Sequence, residues 1–264
     1  MAPSVGPFRC CKPGRPLSEF VDFFWSYHRY APPHARERLL PTAAGELVFS
    51  LDANGRARCG VSGARSQSVV LDTSTPFSVI AVHFKPGGAF RFFGVPGTAL
   101  RDQSVALDVL WGRDAASVRD RLWERDSDGT RFKVLEEALL TAARGCFDRH
   151  PAVRYALDVF DRSGGARPVG DVMPRIGLSS RRFGELFRSE VGLSPKAFCR
   201  IRRFNEVLRR IEALTDVDWA DLAVSCGYFD QAHFNHDFHA CAGLTPSAYL
   251  RGRLSRSHVV ASGA

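Results

Sequence analysis

The C-terminal part of this chain repeats one pattern twice. Residues 177–198 read GLSSRRFGELFRSEVGLSPKAF, and residues 227–249 read GYFDQAHFNHDFHACAGLTPSAY. Phe183 matches Phe234, Phe187 matches Phe238, Gly192 matches Gly243, Leu193 matches Leu244, Pro195 matches Pro246 and Phe198 matches Tyr249, all at one offset. Six pairs in register exceed chance, and an internal repeat restricts the folds open to a chain.

Each copy spells a helix, a glycine stop and the start of another helix. In the first copy Ser179 is an N-cap after the break at Gly177. Phe183, Leu186 and Phe187 then share one helical face, while Arg181, Arg182, Glu185 and Arg188 lie off it. Gly192 stops the helix, and Ser194-Pro195 opens a long one carrying Phe198, Ile201, Phe204, Val207, Leu208 and Ile211. In the second copy Asp216 or Asp218 caps a helix with Trp219, Leu222, Ala223 and Cys226, which Gly227 ends. Asp230 caps the next helix, with Phe234 and Phe238 inward and Gln231, His233, Asn235 and His236 outward. Gly243 closes it, and Thr245-Pro246 opens a last short helix. A short helix, a turn and a second helix with a polar outer face suits the DNA major groove, which admits a helix. A plain bundle with solvated polar faces would explain one copy, but fits poorly with two copies joined by a long central helix.

Residues from about 165 to 250 resemble the DNA-binding domain of the AraC/XylS transcription regulators, most closely in Gly-Tyr-x-Asp-Gln-x-His-Phe followed by Gly-Leu-Thr-Pro between Gly227 and Pro246. The resemblance implies two helix-turn-helix subdomains sharing a linker helix, with recognition helices near 180–190 and 230–241 in successive major-groove segments. The family's base-reading positions fall on Arg181, Gly184 and Glu185, and on Gln231, Ala232 and His236, with His233 and Asn235 nearby. Arg181 suits guanine and Gln231 suits adenine; Glu185 either accepts from a cytosine amine or orients Arg181 or Arg182. Base contact is expected from Arg181, Glu185, Gln231, Asn235 and His236. Phosphate contact is expected from Arg182, Arg188, Lys196, Arg202 and His239.

Two features depart from the family pattern. Val172-Met173-Pro174 stands where copy two has Leu222-Ala223-Val224, and Pro174 predicts a shorter or bent first helix. Charge is also uneven. Residues 162–210 hold twelve Lys/Arg against four Asp/Glu, whereas residues 213–250 hold no Lys or Arg and five Asp. The first subdomain and linker helix are therefore expected to supply most of the phosphate attraction. His233, His236 and His239 replace arginines in the second helix, and are read as neutral donors in preference to a pH-dependent DNA grip.

The first hundred residues read differently. Short β-rich runs at 20–30, 47–51, 68–71 and 77–84, broken by Gly, Pro and Asp, suggest a sandwich or barrel. In AraC relatives this half is often a cupin-like barrel that senses a small molecule or dimerises. Residues 40–50 and 82–88 are similar to one such branch. Residues 103–126 and 130–149 read as helices, serving either as a dimer interface or as a cover for the barrel. Residues 162–168, RSGGARP, read as a flexible linker, and a helix at 151–161 as the edge of the DNA-binding domain. The expected architecture is α+β: a β-rich sensing or dimerisation domain with added helices over 1–150, then an all-α double helix-turn-helix domain over 151–255. Phe24, Trp25, Phe49, Phe84 and Phe92 are the candidates for the effector pocket.

Other chemistries find little support. There is no run of apolar residues long enough to span a membrane and no apolar signal core at the N-terminus, so a cytoplasmic protein is expected. Net charge is +8, nearly all of it from arginine, a bias typical of GC-rich bacterial genomes. Seven cysteines include no Cys-x-x-Cys pair, and Cys199, Cys226 and Cys241 read as core fillers. Cys10-Cys11, between Arg9 and Lys12, leaves open a redox or soft-metal sensor. His28, His34 and His83 lack the metal spacing of catalytic cupins, and no P-loop, Rossmann or hydrolase motif occurs, so neither an enzyme nor a cofactor is expected. A cupin-type enzyme with a DNA-targeting tail is the rival from another class. Double-stranded DNA is the expected partner, with RNA polymerase, a small effector and a second copy of the chain as further ones; activator and repressor both stay open.

Overall fold

Two antiparallel sheets and twelve α-helices, counted among the described residues, make up the chain. The computed structural model describes residues 8–144, 147–212, 217–252 and 258–261. The β-rich part comes first: β1 (Arg9–Cys11), β2 (Val21–Tyr30), β3 (Arg36–Leu39), β4 (Glu46–Asp52), β5 (Ala57–Ser62), β6 (Val69–Asp72), β7 (Phe77–Phe84) and β8 (Ser104–Ala106). A ninth strand, β9 (Val259–Ala261), comes from the far end of the chain. The large sheet runs β1-β2-β7-β4-β5-β8 and the small one β6-β3-β9.

Strand alternation gives the large sheet two different faces. Val21, Phe24, Leu47, Phe49, Val61, Ile80, Val82 and Phe84 point to one side, into a core shared with helices. Those helices are α1 (Phe90–Phe93), α2 (Gly97–Leu100), α3 (Leu107–Trp111), α4 (Arg113–Trp123) and α5 (Asp128–Ala143). The expected helix at 103–126 is thus a strand and two helices, split where Gly112 takes φ +57°. The second expected helix starts at a Ser127 cap that accepts from the Thr130 N–H, and ends at Ala143 rather than 149. Leu107, Val118, Leu122, Leu135 and Leu139 are buried against the sheet, so these helices cover it.

The C-terminal part is all helix up to residue 252: α6 (Pro151–Arg162), α7 (Val169–Ile176), α8 (Ser180–Val191), α9 (Pro195–Glu212), α10 (Trp219–Ser225), α11 (Gln231–Ala242) and α12 (Pro246–Gly252). Phe160, Phe183, Phe187 and Phe198 centre one core, and Phe204, Phe234, Phe238 and Tyr249 a second, with α9 contributing to both. Pro174 neither shortens nor ends α7, which has eight residues against seven in α10. The expected linker at 162–168 is a tight turn instead. The Gly165 N–H donates to the Phe160 carbonyl at 2.8 Å, and Gly164 and Gly165 take φ +56° and +79°. A Cβ on Gly165 would lie 2.3 Å from the Cys199 carbonyl oxygen, so α9 packs directly on this turn.

Both helical cores extend into the β-rich part. Ala43 and Ala64 belong to the first, and Leu40 and Val260 to the second. Gly97 and Gly192 meet back to back, a Cβ on Gly97 falling 2.7 Å from the Gly192 nitrogen. Ser68 accepts from Arg38 at 3.0 Å and donates to the Ala242 carbonyl at 2.9 Å, tying the end of α11 to the small sheet.

Candidate nucleic-acid interface

The two copies of the repeat build matching helix-turn-helix units, and the caps show why. The Ser179 hydroxyl accepts from the Arg182 N–H at 3.2 Å to start α8. The Asp230 carboxylate does the same for the His233 N–H at 2.7 Å to start α11. Asp218 caps α10 by accepting from Ala220 and Asp221; Asp216 lies outside the described residues. Gly177, Gly192 and Gly243 follow their helices with φ of +68°, +85° and +69°, the left-handed geometry glycine adopts without strain.

On α8, Phe183 and Phe187 are buried while Arg181, Arg182 and Glu185 are exposed. Arg181 Nε donates to Glu185 Oε1 at 3.1 Å with its side chain 90% exposed, so of the two roles open to Glu185 this geometry displays the orienting one. Arg188 lies over Gly184, its guanidinium 3.4 Å from where a Cβ would stand. Lys196 is exposed in the first turn of α9.

On α11, Gln231, Ala232, Asn235, His236 and His239 are exposed. His233 is committed to the fold. Its Nδ1 accepts from the Phe229 N–H at 3.4 Å, its Nε2 lies 3.6 Å from Asp237, and its ring meets Tyr228 edge-on. Arg203 of α9 is the functional residue that sequence reasoning missed. Its guanidinium sits over the Tyr228 ring at 5.1 Å, donates to the Gly227 carbonyl, and lies 3.6 Å from the buried Asp237. It fixes the turn that precedes α11, and only its place at the middle of the linker helix marked it. Arg202, expected at phosphate, pairs with Asp161 at 2.9 Å and lines the cleft between the sheets; consecutive helical residues point about 100° apart, so it and Arg203 meet different neighbours.

That cleft has a volume of about 1720 Å³. Its floor is the second face of the large sheet: Trp25, Tyr27, Val48 and Val79, with Glu46 and His83 paired at 3.0 Å toward one end. Its roof is the small sheet, through Glu37, Leu39, Val69, Leu71 and Val259. Glu37 is buried and accepts from the Tyr30 hydroxyl, with His34 at 2.9 Å. Of the aromatic candidates, Trp25 lies in the cleft, and Phe84 reaches its edge while fully buried. Phe24 and Phe49 are core residues under the helices, because alternation places them on the opposite face, and Phe92 joins the same core from α1. His28, His34 and His83 are spread over three different carboxylates, Asp128, Glu37 and Glu46. Cys10 and Cys11 are exposed neighbours on the edge strand β1, so they project to opposite faces. Burial pushes the Cys199 thiol up to about 12 and the Cys241 thiol up to about 11, as befits packed core sulfurs.

Residues 174–252 match the family model of a helix-turn-helix domain, and residues 9–106 that of a domain of unknown function, DUF6597. The HTH-type transcriptional regulator Rv1931c of Mycobacterium tuberculosis is 30% identical over 90 residues, 34% of this chain and 34% of that protein. The match thus spans about a third of the length of the curated relative. Among solved structures, ToxT from Vibrio cholerae O395 aligns with a TM-score of 0.45 and 10% identity over 92% of this chain and 97% of that one. A second crystal form of ToxT gives 0.45 and 11% over 94% and 98%. No helix among the described residues is long and apolar enough to cross a membrane. The capped tandem units on a shared helix fall where the helix-turn-helix model matches: residues 174–252 form a helix-turn-helix domain, and the chain is similar over about a third of its length to an HTH-type transcriptional regulator.

Proposed function

We propose that this regulator reads two successive major-groove segments and answers to a small molecule held in the cleft between its sheets. The observation that carries the first half is the pairing of α8 and α11: each is capped, glycine-terminated and polar outward, and the two are braced by one helix, α9. Arg181, Gln231, Asn235 and His236 read bases, with Glu185 orienting Arg181. Arg182, Arg188, Lys196 and His239 hold phosphates. Residues 1–150 form the sensing part and 151–255 the reading part.

The small sheet supports the second half. One of its faces roofs the cleft through Leu39 and Val259, and the next residue of the tail strand, Val260, is buried in the core of the second reader. A ligand that moves the roof therefore moves the seat of α11. The helix-turn-helix match and its regulator relative support a transcription regulator, one acting through RNA polymerase, over an enzyme. The test is binding to an operator chosen from genomic fragments, with and without a small-molecule library. A two-box operator whose affinity shifts with one compound supports the proposal, and an operator insensitive to mutation of either helix refutes it.

A further inference from the structure

Phe229 is the most exposed large apolar side chain among the described residues, at 89%. It does not sit on a loose loop. The turn that carries it runs from Gly227 to the Asp230 cap; Tyr228 points inward and is buried, and the Phe229 N–H donates to His233. Phe229 therefore points outward at the entrance of α11, beside Gln231, where the first residues of a recognition helix meet base edges.

Charge explains why an aromatic ring belongs there. Residues 213–250 contain no Lys or Arg and five Asp, so α10 and α11 carry no permanent side-chain cation for phosphate. α11 itself is left with contact to the bases, and the apolar group that base edges offer in the major groove is the thymine methyl. We propose that Phe229 is a specificity-determining residue that packs on a thymine methyl beside the base read by Gln231. The proposal rests on reading α11 as a recognition helix.

The experiment uses full-length protein and its selected operator, with each thymine of the box assigned to α11 replaced singly by uracil. Wild type should lose about fourfold in affinity at one position, the worth of burying one methyl group. Phe229→Ala should bind the thymine operator at least fourfold more weakly and show no difference between thymine and uracil. Its melting temperature should be unchanged, as befits an exposed side chain. A variant that keeps wild-type affinity, or keeps the fourfold thymine preference, overturns the proposal. So does normal DNA binding with lost transcription in a purified polymerase assay, which would assign the ring to a protein partner. Gln231→Ala on the same operator separates the layers: if it too leaves the box preference intact, α11 is not a reader and the underlying assignment fails.

Discussion

Replacing Val260 by Ala should loosen the C-terminal strand without unfolding the protein. Val259 and Val260 are 5% and 2% exposed, and full burial of such side chains stabilises by about 1.5–3 kcal/mol each. Against about 3–6 kcal/mol from these two stands the cost of ordering residues 258–261, about 1–2 kcal/mol each for backbone alone. Ladder bonds such as Leu40 N–H to the His258 carbonyl, 2.9 Å, add about 1 kcal/mol apiece. The terms nearly cancel, so the strand is held by a narrow margin. Val260→Ala removes two methyl carbons and leaves a small cavity, a loss of about 2 kcal/mol. That shifts the docked-to-undocked ratio about 30-fold, since 1.4 kcal/mol is about tenfold. Hydrogen exchange at the Leu40 amide reads this directly: protection should fall about 30-fold there while the β7 amides keep theirs. Unchanged protection at Leu40 would refute the reasoning, as would an equal loss spread across α10 and α11, which would make Val260 an ordinary core residue and not a latch.

Other outcomes follow from the same geometry. Burial, with His83 nearby, pulls the His258 pKa down to about 4, so the docked strand favours the neutral ring. Free histidine titrates near 6.5, so docking is at full strength above about pH 6.5 and weakens by at most about 1.4 kcal/mol per unit down to about pH 4; limited proteolysis of the tail should quicken across that window, and His258→Gln should flatten the dependence. Arg181→Ala should cost about 1–3 kcal/mol and relax preference at one position, whereas Arg182→Ala or Lys196→Ala should weaken all sequences and each lower the salt slope by about 1. Gly97→Ala drives a Cβ against the Gly192 backbone, an overpacking of about 1–3 kcal/mol; ligand control of operator affinity should weaken while the binding of base variants keeps its rank order.

The parts legible in the sequence are those set by neighbours along the chain. Ser179, Asp230, Gly192 and Gly243 announce helix ends because caps and left-handed glycines are local chemistry, and both candidate recognition helices fall within a residue or two of expectation. Features set by distant pairing were not legible. Nothing around Val259 and Val260 says that they complete a sheet begun at Arg36–Leu39. RSGGARP has the composition of a linker, yet α9 packs on it closely enough that Gly165 has no room for a side chain. Phe24 and Trp25 are adjacent and equally aromatic; which one lines the cleft depends on which face of the sheet the helices cover. Arg202 and Arg203 look alike as charges, but one faces the cleft and the other pins Tyr228.

The central claim is that one chain reads DNA with two helices braced by α9. Selection of fragmented genomic DNA by the full-length protein at near-physiological salt tests it most directly. The expected result is a motif of two short boxes about one helical turn apart, with Arg181→Ala altering one box and Gln231→Ala the other. A single box that ignores Gln231 would contradict it, leaving the acidic second unit as a passenger on a one-helix reader.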